Sequence, residues 1–197
     1  MGMAEELKPI LKGGVRILRP REYEALRSAA AKPVKRGERH LQNATLLDTL
    51  LLTGMRYVEA QRLQRHPEWF DGNFIHLPSE AQLKAKRRQR ERWIRLSSMG
   101  KAVLPYFFKT RPLPSWKAWT LNLRRWAELA GLDPAGLSPK TTRKTWESWL
   151  VTCYPQYLAQ ICLSQGHTEL TSLQHYLNMP FTEVDRLEMK KWVEGWI

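Results

Sequence analysis

The sequence predicts a mainly α domain carrying one small antiparallel β-sheet. Apolar residues recur at helical spacing through most of the chain. Only two short stretches, "NFIHL" (73–77) and "RWIRL" (92–96), alternate side chains as strands do, and Gly and Pro punctuate the connections. With 197 residues, 43% of them hydrophobic, the chain has room for one domain with a full core.

Residues 1–20 read as a Pro- and Gly-punctuated lead-in. "RPREYEALRSAA" (19–30) follows as a helix, with Pro20 in its first turn and Tyr23, Leu26 and Ala30 on one face. A basic loop, "KPVKRGERH", breaks it. "LQNATLLDTLLLTG" (41–54) is a strongly apolar helix ended by Gly54, and a short helix containing Arg56 follows at once. The two strands flank "PSEAQLKAKRRQRE" (78–91), which is too polar for core, so a hairpin with a basic tip is expected. From Ser98 the chain returns to helix, in segments 99–110, 115–132, 138–154, 158–167, 172–178 and 182–197. The nine tryptophans fall at helical spacings and are expected in the core, Trp116, Trp119, Trp126, Trp146 and Trp149 among them.

The net charge of +13 and pI near 10.0 point to a polyanionic partner, although ribosomal and merely soluble basic proteins share that balance. No run of eighteen apolar residues occurs and "MGMAEELKPI" has no signal core, so a soluble, intracellular protein is expected, with no membrane partner. Cys153 and Cys162 read as reduced core residues, and the five histidines show no ligand spacing, so neither metal nor other cofactor is expected.

Short motifs carry the chemistry. T-G-M-R-x-x-E spans Thr53 to Glu59, and Arg56 with Glu59 reads either as an i, i+3 ion pair or as an arginine aimed from a helix start at an anion. In "LSPKTTRKTWESWL", Lys140 and Arg143 share one helical face behind a Ser-Pro helix start. In "LSQGHTELTSLQHY", Tyr176 lies nine residues after His167. Between the strands lie Lys84 and Lys86, with Arg87, Arg88 and Arg90 expected to contact a phosphate backbone.

In this order the elements resemble the catalytic domain of the tyrosine recombinase (phage integrase) family, over roughly Ala44 to Tyr176. The resemblance implies a catalytic domain over residues 21–197, without a separate core-binding domain and with a C-terminal tail (181–197) exchanged between protomers. It implies catalytic roles for Arg56, Lys84, Lys140, Arg143, His167 and Tyr176, with Lys86 the alternative hairpin lysine and Glu59 supporting. Lysine stands at 140 where the family has histidine in H-x-x-R, a pattern similar to integrases of archaeal viruses and plasmids. The implied activity is site-specific recombination of double-stranded DNA by a homotetramer in the host cytoplasm, through a 3′-phosphotyrosine and without cofactor. A type IB topoisomerase-like relaxing activity and a non-catalytic basic DNA-binding module are the alternatives.

The residue types suit that chemistry. Arginines remain charged and grip phosphate through two parallel hydrogen bonds, which favours the charge that grows on a reacting phosphodiester. A tyrosine of ordinary pKa near 10 needs a proton acceptor and a positive setting to attack at neutral pH. A hairpin lysine can protonate the 5′-oxygen that leaves. Lys140 is a poor base unless desolvated.

Overall fold

The computed structural model describes residues 8–32, 39–81, 91–167, 174 and 176–197. It is mainly helical, with two separate two-stranded antiparallel sheets. Among the described residues no helix is long and apolar enough to cross a membrane.

The first sheet lies in the expected lead-in. Strands β1 (Ile10–Lys12) and β2 (Val15–Ile17) pair through a turn at Gly13 and Gly14, both in the left-handed region. Two glycines in a two-residue loop supply the positive φ that tight hairpins require. Ile10, Ile17 and Leu18 enter the core. The hairpin is stitched down: Arg16 N donates to Gly136 O (2.9 Å), Leu18 N to Thr145 Oγ1 (3.0 Å), and Trp149 Nε1 to Leu18 O (3.0 Å).

Helix α1 (Pro20–Ala31) starts on the expected proline and buries Tyr23, Leu26, Ala29 and Ala30. Helix α2 (Arg39–Thr53) inserts Leu46, Leu47, Leu50 and Leu51 between α1, α4 and α6. Gly54 ends it with φ 58°, and α3 (Tyr57–Leu63) follows. The second sheet is the expected hairpin, β3 (Phe74–Leu77) against β4 (Arg92–Arg95), with Ile75, Leu77 and Ile94 facing the core. Helices α4 (Ser98–Phe107) and α5 (Trp116–Leu129) begin at serines 97 and 115, whose hydroxyls accept from Gly100 N and Ala118 N.

Helix α6 (Thr141–Cys153) is the central element, packed on β2, α2, α7 and the C-terminal helix, and Thr145 through Val151 are all buried. Helix α7 (Leu158–Gln165) ends at Gly166 in a left-handed cap. The C-terminal helix α8 (Glu183–Val193) is capped by Thr182 and lies on its own domain. Its Met189, Trp192 and Val193 are buried, with Trp196 beyond it, and Arg19 and Asp185 form a buried ion pair. Val184 and Leu187, on the same helix, point outward at 47% and 61% exposure. Six of the nine tryptophans are buried; Trp93 and Trp116 are exposed, contrary to expectation for Trp116, which meets Tyr57 edge-on at 5.8 Å instead.

Candidate active site

Arg56 occupies the N-cap of α3, so its side chain leaves the helix at the start. Its backbone N–H donates to Glu59 Oε2 and its Nη1 to Glu59 Oε1, both at 2.8 Å, while Nη2 reaches Gly166 O at 3.3 Å. Glu59 is nearly sealed from solvent and takes a second guanidinium: Arg92 donates to Oε1 at 3.0 Å and to Oε2 at 2.7 Å. Burial alone would raise the Glu59 carboxyl. Arg92 first, then Arg56 and Arg143, reverse that and hold it at about 2. Glu59 is thus a fixed anion that anchors both arginines, and a third of the Arg56 side chain stays open to solvent.

Arg143 enters from α6. Its Nη1 donates to Gly54 O (2.9 Å), its Nη2 to Gln165 O (2.5 Å), and its Nε pairs with Glu147 Oε1 (2.9 Å). The turn after α2 and the end of α7 therefore meet on one side chain. Gly54 permits this closeness: a Cβ there would lie 2.3 Å from Gln165 Oε1 and 2.7 Å from Trp146 Cδ1. Burial lowers the Arg143 pKa, Glu147 opposes that, and Arg56 is close enough to lower it further.

His167 follows the Gly166 cap, with Nε2 2.8 Å from Glu147 Oε1. Nε2 is also 3.3 Å from Arg143 Nη2. If Nε2 carries the proton it donates to the carboxylate, and its approach to Arg143 is a contact between two donors. Tyr176 is 4% exposed and donates its hydroxyl to Glu147 Oε2 at 3.3 Å. Burial, then the Glu147 charge, push its pKa well above the ordinary value. Over its ring, 4.4 Å from the centroid, stands the ammonium of Lys12 from β1. Burial and the neighbouring Lys144 lower the Lys12 pKa.

Arg56, Arg143, His167 and Tyr176, picked out by sequence from well-separated segments, therefore converge. Lys140 does not join them through a hydrogen bond: it is the exposed N-cap of α6, and among the described residues its ammonium makes none. Lys84, Lys86, Arg87, Arg88 and Arg90 lie outside the described residues. Tyr154, the tyrosine just before Pro155, donates its hydroxyl to Val193 O at 3.2 Å. Among the described residues no group of His, Cys, Asp and Glu is arranged to hold a metal ion.

Sequence reasoning missed Glu147, Arg92 and Lys12. Glu147 stands four residues after Arg143 on the same helical face, the usual spacing of an ion pair, in a stretch otherwise read as core. Arg92 stands beside a run of basic residues, but the β3–β4 alternation puts it on the inward face with Ile94. The signal for Lys12 was the Gly13-Gly14 pair between apolar residues.

No protein-family model and no curated protein sequence matches the chain. Solved structures do. The XerH site-specific recombinase bound to difH substrate superposes with a TM-score of 0.60 at 18% identity, covering 81% of this chain and 49% of that one. The Tn1549 transposon integrase in complex with circular intermediate DNA gives 0.64 at 14% identity, covering 96% and 69%. XerA recombinase gives 0.61 at 16%, covering 92% and 65%. The fold is that of a tyrosine recombinase catalytic domain. This chain spans about half the length of the XerH chains that it matches.

On that fold the cluster offers two guanidiniums and an imidazole around a buried phenol. Such a set can hold a phosphodiester by its non-bridging oxygens and present an oxygen nucleophile to it.

Proposed function

We propose that this chain is the catalytic domain of a site-specific DNA recombinase, breaking and rejoining strands through a covalent 3′-phosphotyrosine at Tyr176. The observation that carries the reading is the convergence of Arg56, Arg143, His167 and Tyr176, from three separate segments, within hydrogen-bond reach of the buried anions Glu59 and Glu147 or of the backbone beside them. The solved neighbours crystallised with DNA substrates support the partner, and the charge of +13 suits a phosphate backbone.

In this reading Arg56 and Arg143 clamp the scissile phosphate and His167 donates a hydrogen bond to it. The Tyr176 oxygen attacks in line, and a hairpin lysine, Lys84 or Lys86, protonates the departing 5′-oxygen. Because the phosphotyrosine retains the energy of the broken bond, rejoining needs neither ATP nor metal. The lysine at 140 likens the chain to integrases of archaeal viruses and plasmids, and its exposed position suits a phosphate contact better than proton transfer. The working form is a homotetramer on two duplexes in the host cytoplasm.

The test is incubation with a nicked duplex in the presence of a metal chelator. A covalent protein–DNA adduct, mapped by mass spectrometry to Tyr176, is expected. No adduct on a range of duplexes, or one on another residue, would overturn the reading.

A further inference from the structure

Tyrosine attack releases a proton, and the phenol and its partner are shielded from water: Tyr176 is 4% and Glu147 2% exposed. The proton must therefore pass to a protein group. Lys140, for which the resemblance implies a catalytic role, sits exposed at the start of α6 and is not desolvated. Two turns along the same helix, Glu147 accepts the Tyr176 hydroxyl at Oε2, 3.3 Å away, and among the described residues that hydroxyl makes no other hydrogen bond. The second carboxylate oxygen is fixed by His167 Nε2 at 2.8 Å and Arg143 Nε at 2.9 Å, so Oε2 is held toward the phenol.

We propose that Glu147 is the proton acceptor for Tyr176, a further catalytic residue; the inference rests on the recombinase reading above. In cleavage the Tyr176 O–H bond breaks and its proton moves to Oε2. The oxygen's electron pair forms the bond to phosphorus, and the P–O5′ bond breaks, leaving its pair on O5′. That oxygen takes a proton from the general acid. In rejoining, the 5′-hydroxyl gives its proton back to the deprotonated general acid as its oxygen bonds to phosphorus; the bond from phosphorus to the tyrosine oxygen breaks with its pair left on that oxygen, and Glu147 returns its proton there.

Arg143 and His167 hold the free carboxylate ionised, which by itself makes a weak base. The substrate changes this. A phosphodiester gripped by the same Arg143 and His167 draws their charge away from Glu147 and places a negative charge beside it, and both effects raise its affinity for a proton. The base is strengthened when the substrate is in place. Charged or titratable groups facing it are Arg143 and Lys144 from α6, Cys162 and His167 from α7 and its end, Tyr176, and Lys12 across the phenol ring.

The test compares single-turnover adduct formation on a nicked duplex by the parent, Glu147→Gln and Glu147→Asp. At neutral pH Glu147→Gln should slow the adduct by about 10²–10⁴-fold, the usual effect of losing a general base, with DNA affinity within a few-fold of the parent. Its rate should climb about tenfold per pH unit, because only the rare phenolate then attacks. A substrate whose bridging 5′-oxygen is replaced by sulfur needs no acid, so it should not rescue this variant. Glu147→Asp keeps a carboxylate and should retain the parental pH profile at a lower rate. A Glu147→Gln rate equal to or above the parent's would overturn the proposal, as would its rescue by the sulfur substrate. If Glu147→Gln fails to bind DNA, Glu147→Asp decides alone: a parental profile supports the proposal and a slope of about tenfold per unit overturns it. Absence of any adduct from the parent would instead refute the recombinase reading itself.

Discussion

Arg56 and Glu59 are joined twice at 2.8 Å, once through the guanidinium and once through the Arg56 backbone N–H. The ion pair is therefore present, and it leaves a third of the Arg56 side chain open for the anion contact that the proposed function requires. Glu59 caps the helix start and holds the Arg56 guanidinium through Nη1, while Nη2 reaches Gly166 O. Replacing Arg56 or Arg143 with alanine should slow covalent adduct formation by roughly 100-fold or more, the scale of losing one transition-state donor. Tyr176→Phe should abolish the adduct with DNA affinity nearly unchanged. Single-turnover rates and filter binding measured side by side check all three, and arginine variants within a few-fold of the parent would leave Arg56 a purely structural ion pair.

Glu59 also makes the fold sensitive to acid. Its folded pKa is depressed from 4.5 to about 2, so its contribution is fully present above the unfolded value. That contribution is lost as pH falls from about 4.5 toward 2. For a group this buried the shift corresponds to about 3 kcal/mol. Chemical denaturation at a series of pH values should show the parent losing stability through that window, and Glu59→Gln should be less stable at neutral pH with a flatter acid limb. Parallel profiles for the two proteins would remove Glu59 as the cause.

Arg92 lies inward, bonded to Glu59 and to Ser164 O at 3.1 Å. Arg92→Met should destabilise the fold by about 3–5 kcal/mol, since it strands a buried carboxylate. Neutralising Arg87, Arg88 and Arg90 together should leave the melting temperature unchanged and lower the salt slope of DNA binding by about 2–3. An unchanged salt slope would take these arginines out of the DNA contact.

How much of this was legible depended on whether one local pattern decided the matter. The helices around Leu26, Leu47 and Trp119 follow from apolar periodicity and serine or proline starts, and the 74–77/92–95 hairpin from strict alternation. The convergence of Arg56, Arg143, His167 and Tyr176 was legible because they keep motif spacing. Glu147 was not. A carboxylate in an apolar helix has no local signal for burial, and only the fold brings His167 and Tyr176 to it. The β1–β2 hairpin was missed because three-residue strands carry too little alternation to outweigh a Pro- and Gly-rich neighbourhood.

The C-terminal helix was legible in type but not in facing. Trp192, Val193 and Trp196 fill the core of their own domain, so deleting the helix would unfold the protein and say nothing about assembly. The outward pair Val184 and Leu187 is the informative target. Converting both to aspartate should leave the melting temperature and single-protomer DNA binding intact while reducing the tetramer on synapsed duplexes, measured by analytical ultracentrifugation. A tetramer of parental yield would place the contacts between protomers elsewhere.

Lys12 ties the N-terminal hairpin to Tyr176. Its ammonium lies 4.4 Å above the Tyr176 ring, and Lys144 Nζ holds its carbonyl at 2.9 Å, so the cation is placed by the same helix that carries Arg143 and Glu147. Cations are drawn to the electron-rich face of a phenol, by about 2 kcal/mol or more when desolvated. Ionising the phenol enriches that face, so Lys12 favours the attacking form over the resting one. This works against burial and the Glu147 charge, which both hold the proton on Tyr176. Lys12→Met should therefore slow adduct formation by about tenfold, equivalent to ~1.4 kcal/mol, and Lys12→Arg should restore most of the rate. Because the hairpin's main-chain hydrogen bonds to Gly136 and Thr145 do not involve the ammonium, the melting temperature should move little in either variant. A Lys12→Met protein that forms adduct at the parental rate would reduce the hairpin to a structural brace.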